Sequence, residues 1–197
     1  MLKYFVSCSD RKENKIMKKK IASLLCAALL AVSFAGCSFG GGSNVVTPDQ
    51  DGYAEGKLGD TMRNTFFDYS VNNAYVCDFY EDYIPQAGYE LLVADVTVKN
   101  TFDETISMFD SDFQVQWDSD SKDAFDYPVT FYLDEGTGLG DKVLPAQYDL
   151  AKEESRTGLL IFEVPTGETE FSISYMEYFD DDTTGDTFFV LFTAEKK

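Results

Sequence analysis

Six aspartates, Asp110, Asp112, Asp118, Asp120, Asp123 and Asp126, fall within seventeen residues. Asp180, Asp181, Asp182 and Asp186 crowd a later segment. Carboxylate oxygens suit Ca²⁺, which takes roughly six to eight oxygen ligands. Asp118-Ser119-Asp120-Ser121-Lys122-Asp123 has the alternation of a calcium loop, so Asp118, Asp120 and Asp123 are the candidate metal ligands. The match is incomplete. Asp123 stands where such a loop turns on Gly, Lys122 takes a ligand position, and the closing Glu is missing. A solvated acidic hairpin loop accounts for the same residues. Calcium is the one cofactor the composition leaves open.

A second constellation is aromatic. Tyr75, Phe79, Tyr80 and Tyr83 interleave with Asp78, Glu81 and Asp82 just before Pro85. Phe79, Tyr80 and Tyr83 are the candidate partner-binding residues, with rings supplying contact area and carboxylates meeting a cationic ligand or an envelope protein. The competing reading is that two or three of these rings cover one end of a core. Tyr175, Tyr178 and Phe179 invite the same pair of readings, with the core favoured.

Catalytic chemistry finds little to work with. The chain of 197 residues contains no His, which removes Ser-His and Cys-His pairs and imidazole metal sites. A carboxylate pair could serve a glycosidase, but in a chain with 35 acidic residues close pairs arise by chance and identify nothing. No G-x-S-x-G, P-loop or G-x-G-x-x-G is present, and Gly40-Gly41-Gly42 reads as spacer. The expectation is a protein that is not an enzyme. Its formal charge of −19 also argues against nucleic acid and anionic lipid surfaces as partners.

These residues must be held by strands. Leu92, Ala94, Val96 and Val98 alternate with Asp95, Thr97 and Lys99. Phe113, Val115 and Trp117 alternate with Gln114 and Gln116, and Phe171, Ile173 and Tyr175 with Ser172 and Ser174. Leu160, Phe162 and Val164 oppose Leu159, Ile161 and Glu163, while residues 188–192 are apolar on both faces. Turn chemistry separates the blocks at Pro165-Thr166-Gly167 and at Asp182-Thr183-Thr184-Gly185. Residues 69–75 and 127–132 complete a set of about seven strands, and 149–154 make one short turn. The expected fold is all-β, an immunoglobulin-like two-sheet sandwich without a disulfide.

The beginning of the chain is an address. Lys18, Lys19 and Lys20 precede a 15-residue apolar run from Ile21 to Ala35, the length of a secretory core and short for a spanning helix. Phe34-Ala35-Gly36-Cys37 resembles the lipobox of bacterial lipoproteins, with Phe34 in place of the usual Leu. The resemblance implies lipid attachment at Cys37 and cleavage before it. Residues 1–16 fit no part of a signal, which points to Met17 as the start. Cleavage leaves 161 residues with 9 basic and 33 acidic side chains, a charge of −24, and Cys77 as the one unmodified cysteine. The expected organisation is a signal over 1–36, a lipid-anchored flexible spacer over 37–58 reaching about 25 Å, and a domain over 59–197. The membrane is then a partner through Cys37, at the outer face of the cytoplasmic membrane of a Gram-positive-type bacterium.

Several phrases together carry a family resemblance: Gly59-Asp60; Pro85 and Gly88 ahead of a strand; Val93-Ala94-Asp95-Val96-Thr97-Val98-Lys99-Asn100; Leu144-Pro145; and Gly158-Leu159-Leu160-Ile161-Phe162-Glu163-Val164-Pro165. Over roughly residues 57–195 the chain resembles an uncharacterised immunoglobulin-like domain family of Gram-positive lipoproteins, related to the secreted immunoprotective antigen of mycobacteria. The resemblance implies a sandwich and a surface location. It carries no catalytic residues with it.

Overall fold

The computed structural model describes residues 44–118, 124–133, 139–179 and 181–197. Its strands, in chain order, are β1 (Val45–Val46), β2 (Tyr53–Lys57), β3 (Thr61–Arg63), β4 (Phe67–Cys77), β5 (Tyr89–Asn100), β6 (Ile106–Phe109) and β7 (Gln114–Trp117). Then follow β8 (Phe125–Asp126), β9 (Gln147–Leu150), β10 (Ser155–Pro165), β11 (Glu170–Tyr178), β12 (Thr184–Thr193) and β13 (Glu195–Lys196). One sheet runs β1-β3-β4-β5-β10, with β13 also on β4; the other runs β2-β12-β11-β7-β8. β6 and β9 form a separate ribbon. The protein is a β-sandwich without helices longer than a single 3-10 turn among the described residues.

Alternation places the core. β5 pairs antiparallel with β10 from Lys99↔Ser155 to Tyr89↔Pro165. That register puts Leu92, Ala94, Val96 and Val98 beside Leu160, Phe162 and Val164 on the inner face. Phe113, Val115, Phe171, Ile173, Phe188 and Val190 close over them from the second sheet. At the centre Phe67, Tyr69, Phe113 and Tyr175 pack edge-on or tilted, with centroids 4.7–6.4 Å apart. These offset geometries suit aromatic quadrupoles.

Tyr69 is 1% exposed and its hydroxyl has no hydrogen-bond partner among the described residues. Burial holds that phenol far above its ordinary pKa. A desolvated hydroxyl without a partner opposes folding, whereas the ring supports it. Tyr69→Phe is therefore expected to raise stability by about 1 kcal/mol. A higher urea midpoint with an unchanged slope would show this, and a lower midpoint would refute it.

Three expectations change. Strand segments outnumber the expected seven because short edge pieces complete both sheets. β1 and β2 lie inside the stretch expected to be spacer, so the ordered domain begins before Gly59. β2 is held by a parallel ladder to β12, from Tyr53↔Thr187 to Lys57↔Leu191, and by a turn in which Asp49 Oδ1 accepts from the Asp51 and Tyr53 amides. Glycine at 56 lets it pass β3, because a Cβ there would lie 2.6 Å from Met62 Sδ. Residues 127–132 are not a strand. β8 stops at Asp126, and after Pro128 the chain turns through a 3-10 segment, Val129–Phe131.

That turn has a consequence for the first sheet. Val129, with Leu139 from the following segment, covers Leu91, Val93 and Ile161 on the outer face of β5 and β10. Tyr75, Cys77, Tyr80, Tyr83, Leu133, Val143 and Leu159 pack around them. The sheet is thus buried on both faces at one end, and a second, smaller core stands beneath the aromatic segment.

Candidate functional site

Residues 80–83 form a tight turn with reciprocal backbone hydrogen bonds, the Tyr80 amide to the Tyr83 carbonyl at 3.0 Å and the reverse at 2.8 Å. Glu81 takes a left-handed φ of 48°, a strained setting for a residue with a Cβ. Both tyrosines lean into the second core. Tyr83 Oη donates to Glu163 Oε1 at 2.8 Å. Burial, the Glu163 hydrogen bond and the nearby Asp126 charge together raise the Tyr83 phenol well above its usual range. Glu163 is itself buried, so this bond satisfies a carboxylate that β10 turns away from the main core.

A second aromatic group meets the first at Asp126. Tyr132 Oη donates to Asp126 Oδ1 at 2.6 Å, and the same carboxylate acts on Tyr83. From there Phe125, Tyr127, Phe131 and Tyr132 form a run of ring contacts, with centroids 6.2, 5.0 and 5.1 Å apart in turn. Gln114 Nε2 anchors it from β7 by donating to Tyr127 Oη at 2.7 Å. Phe131 and Tyr132 of this run face solvent at 50% and 61% exposure, as do Phe79 at 64% and Ile84 at 76% on either side of the Tyr80–Tyr83 turn.

The expected partner-binding residues therefore divide. Phe79 stands free on the surface, while Tyr80 and Tyr83 serve as half-buried supports. Phe131 and Tyr132, the most exposed rings of the second group, escape a reading that assigns 127–132 to a strand. Pro128 was the signal available, since a proline breaks a ladder and sets up a turn. The two segments that carry the exposed rings also carry Glu81 and Asp82 next to Phe79 in the chain, and Asp126 against Tyr132. That pairing suits a ligand with cationic and planar or aliphatic parts.

Of the candidate metal ligands, Asp118 is exposed just after β7, and Asp120 and Asp123 lie outside the described residues. Among the described residues no three carboxylates or thiols converge tightly enough to hold a metal ion. The proposed lipid-attachment residue Cys37 also lies outside them. Cys77 is half-buried against the second core, and burial pushes its thiol up, away from nucleophilic use. Other buried acids work as struts. Glu177 accepts from the Thr65 amide at 2.8 Å and the Asp186 amide at 3.0 Å, tying the β3–β4 loop and the start of β12 to β11.

Residues 56–185 match a family described as a domain of unknown function, DUF4352. No curated protein matches the chain. Among solved structures it is similar to ycdA, a lipoprotein candidate of Bacillus subtilis, with 14% identity and a TM-score of 0.51. That alignment covers 68% of this chain and 38% of the other, so the chain spans well under half of that protein. A lipoprotein candidate of Staphylococcus aureus has 12% identity and a TM-score of 0.46, with 72% and 94% covered. An uncharacterised β-sandwich protein of Clostridium difficile has 12% identity and a TM-score of 0.39, with 80% and 99% covered. At such identities the likeness concerns the fold alone.

Proposed function

We propose, from the premise that the chain belongs to the DUF4352 family, that it is a lipid-anchored extracytoplasmic protein whose immunoglobulin-like sandwich binds a cationic partner and catalyses nothing. The observation that carries this reading is the joined aromatic and acidic face. Exposed rings Phe79, Phe131 and Tyr132 adjoin, in the chain, residues Tyr80, Val129 and Leu133 that pack in the second core, and Asp126 accepts from the Tyr132 hydroxyl. Tyr132, held by Asp126, and Phe131, packed between Tyr127 and Tyr132, lose little freedom on contact, so their buried area is available as affinity. The absence of His from the chain favours binding over catalysis. The anchor rests on Lys18, Lys19, Lys20 and the lipobox ending at Cys37, which agrees with the lipoprotein name given to ycdA.

The test is a titration of the intact chain in mild detergent with an arginine-rich peptide, followed by fluorescence. A triple variant, Phe79→Ser, Phe131→Ser and Tyr132→Ser, keeps the net charge and hence the nonspecific attraction. At least a tenfold loss of affinity is expected, with the melting temperature nearly unchanged because these rings are exposed. Equal affinity would mean that charge alone drives the binding, and the aromatic face would lose its role.

A further inference from the structure

The edge of β4 carries an occupied cation socket. β3 pairs with β4 only at Met62↔Tyr69 and Arg63↔Asp68. Farther along, β13 lies parallel to β4, with Glu195↔Tyr75 and Lys196↔Val76 in register. The Lys197 amide adds a hydrogen bond to the Val76 carbonyl at 2.9 Å. The side chains then make two distinct contacts. Lys196 Nζ sits 2.6 Å from Asp78 Oδ1 and 3.2 Å from Glu90 Oε2, and Lys197 Nζ stands 3.9 Å above the Tyr75 ring centroid.

Glu90 makes this a built site. Its side chain is 4% exposed, and its other oxygen accepts from the Gly167 amide at 2.9 Å. A buried carboxylate needs an opposing charge, and removing the cation leaves it uncompensated. Yet the cation arrives on a weakly held segment. Ala194 is buried and hydrogen-bonded to Thr169, but residues 195–197 are all exposed and bury no apolar side chain. No apolar burial opposes the segment's release, and a competing segment that brings its own cation keeps Glu90 compensated as it displaces residues 195–197.

We propose that the β4 edge at residues 75–78, together with Glu90, recognises an extended segment of another protein bearing two adjacent lysines, and that residues 195–197 fill this site in cis. Recognition is by strand addition: the backbone ladder supplies affinity, and the Asp78–Glu90 clasp and the Tyr75 ring select the two ammonium groups. The domain's negative charge attracts such a segment from a distance. The site uses none of the rings Phe79, Phe131 and Tyr132, although Asp78 adjoins Phe79 in the chain, so substitutions at each test the two readings apart.

The intact chain and a chain shortened by residues 195–197 are titrated with a hexapeptide copying residues 192–197, and with its counterpart carrying glutamines for both lysines. The shortened chain is expected to bind the lysine peptide at least tenfold more tightly than the glutamine peptide, and at least tenfold more tightly than the intact chain does. Glu90→Gln with Asp78→Asn should erase the preference. Should the shortened chain not fold, the intact chain with Lys196→Gln and Lys197→Gln replaces it, since it keeps the backbone ladder. No preference for lysine, or a preference that survives the Glu90 and Asp78 substitutions, overturns the proposal. So does a concentration-dependent dimer of the intact chain that the truncation abolishes, because the edge would then belong to a second copy. Phe79, Phe131 and Tyr132 are untouched throughout, so the outcome is independent of the aromatic face.

Discussion

Phe113→Ala is expected to destabilise the sandwich by about 3–5 kcal/mol, lowering its melting temperature by roughly 6–20 °C. Phe113 is 1% exposed and lies 5.3 Å from the Tyr69 ring, 6.2 Å from Tyr175 and 6.3 Å from Phe67, measured between centroids. It joins the two sheets at their most aromatic point, so truncation removes contacts to both at once. The space cannot close easily, because its walls are rigid rings on paired strands, and the cavity adds to the lost transfer free energy. Phe113→Leu should keep most of the stability, since it retains much of the volume. Phe79→Ala serves as the control. It deletes the same ring at an exposed position and should shift the midpoint by less than about 0.5 kcal/mol. A Phe113→Ala midpoint as close to wild type as that of Phe79→Ala would mean that the aromatic cluster is not what holds the sheets together.

The elements legible in the sequence are those whose partner face is itself regular. β5 and β10 show period-two alternation over long runs, and each buries the predicted set, Leu92 to Val98 and Leu160 to Val164. β2 was illegible because its stability is borrowed. Tyr53–Lys57 has Gly, Glu and Lys, no alternation worth the name, and a partner some 130 residues away in β12. The second core was half legible. Leu91, Val93 and Ile161 are apolar on the face opposite Leu92–Val98 and Leu160–Val164, but only the turn at Val129–Phe131 shows what covers them. The candidate site suffered from abundance rather than from silence. In a chain so rich in carboxylates, nothing local marks Glu163 as buried against Tyr83, or Glu90 as facing Lys196. Those roles depend on register between strands distant in sequence, which composition does not encode.

Replacing Asp112 with Asn is expected to stabilise the protein at pH 7.5 and to leave it unchanged near pH 4. The 3-10 turn Asp110–Asp112 leads straight into Phe113, whose ring enters the core, and Asp112 beside it is partly buried. Desolvation, reinforced by the neighbouring Asp110 charge and opposed by the Phe109 amide, pushes the Asp112 carboxyl up to about 6. The groups around it give little relief. Asp110 is itself raised by burial. Tyr148 and Tyr175 are buried phenols whose ionisation the Asp112 charge further disfavours. Arg156 is committed to the Tyr148 ring at 4.9 Å. A folded-state pKa above the unfolded value near 3.8 means that the folded protein holds a proton the unfolded chain has released. Stability from this group is therefore intact below about pH 4, falls as pH rises towards 6, and stays lower above that. Partial hydration of the carboxylate trims the effect, and a gain on the order of 1–2 kcal/mol is expected. Asn removes the ionisation yet keeps an oxygen to accept from the Phe109 amide, now bonded to Asp112 Oδ2 at 2.8 Å. Urea midpoints of both proteins at pH 4, 5, 6 and 7.5 read the difference, because the acids away from this turn titrate alike in each. A gap that opens between pH 4 and 6 and then levels off identifies Asp112 as the buried proton. A constant gap would mean that Asn acts through packing or hydrogen bonding, and that the carboxylate is hydrated in the fold.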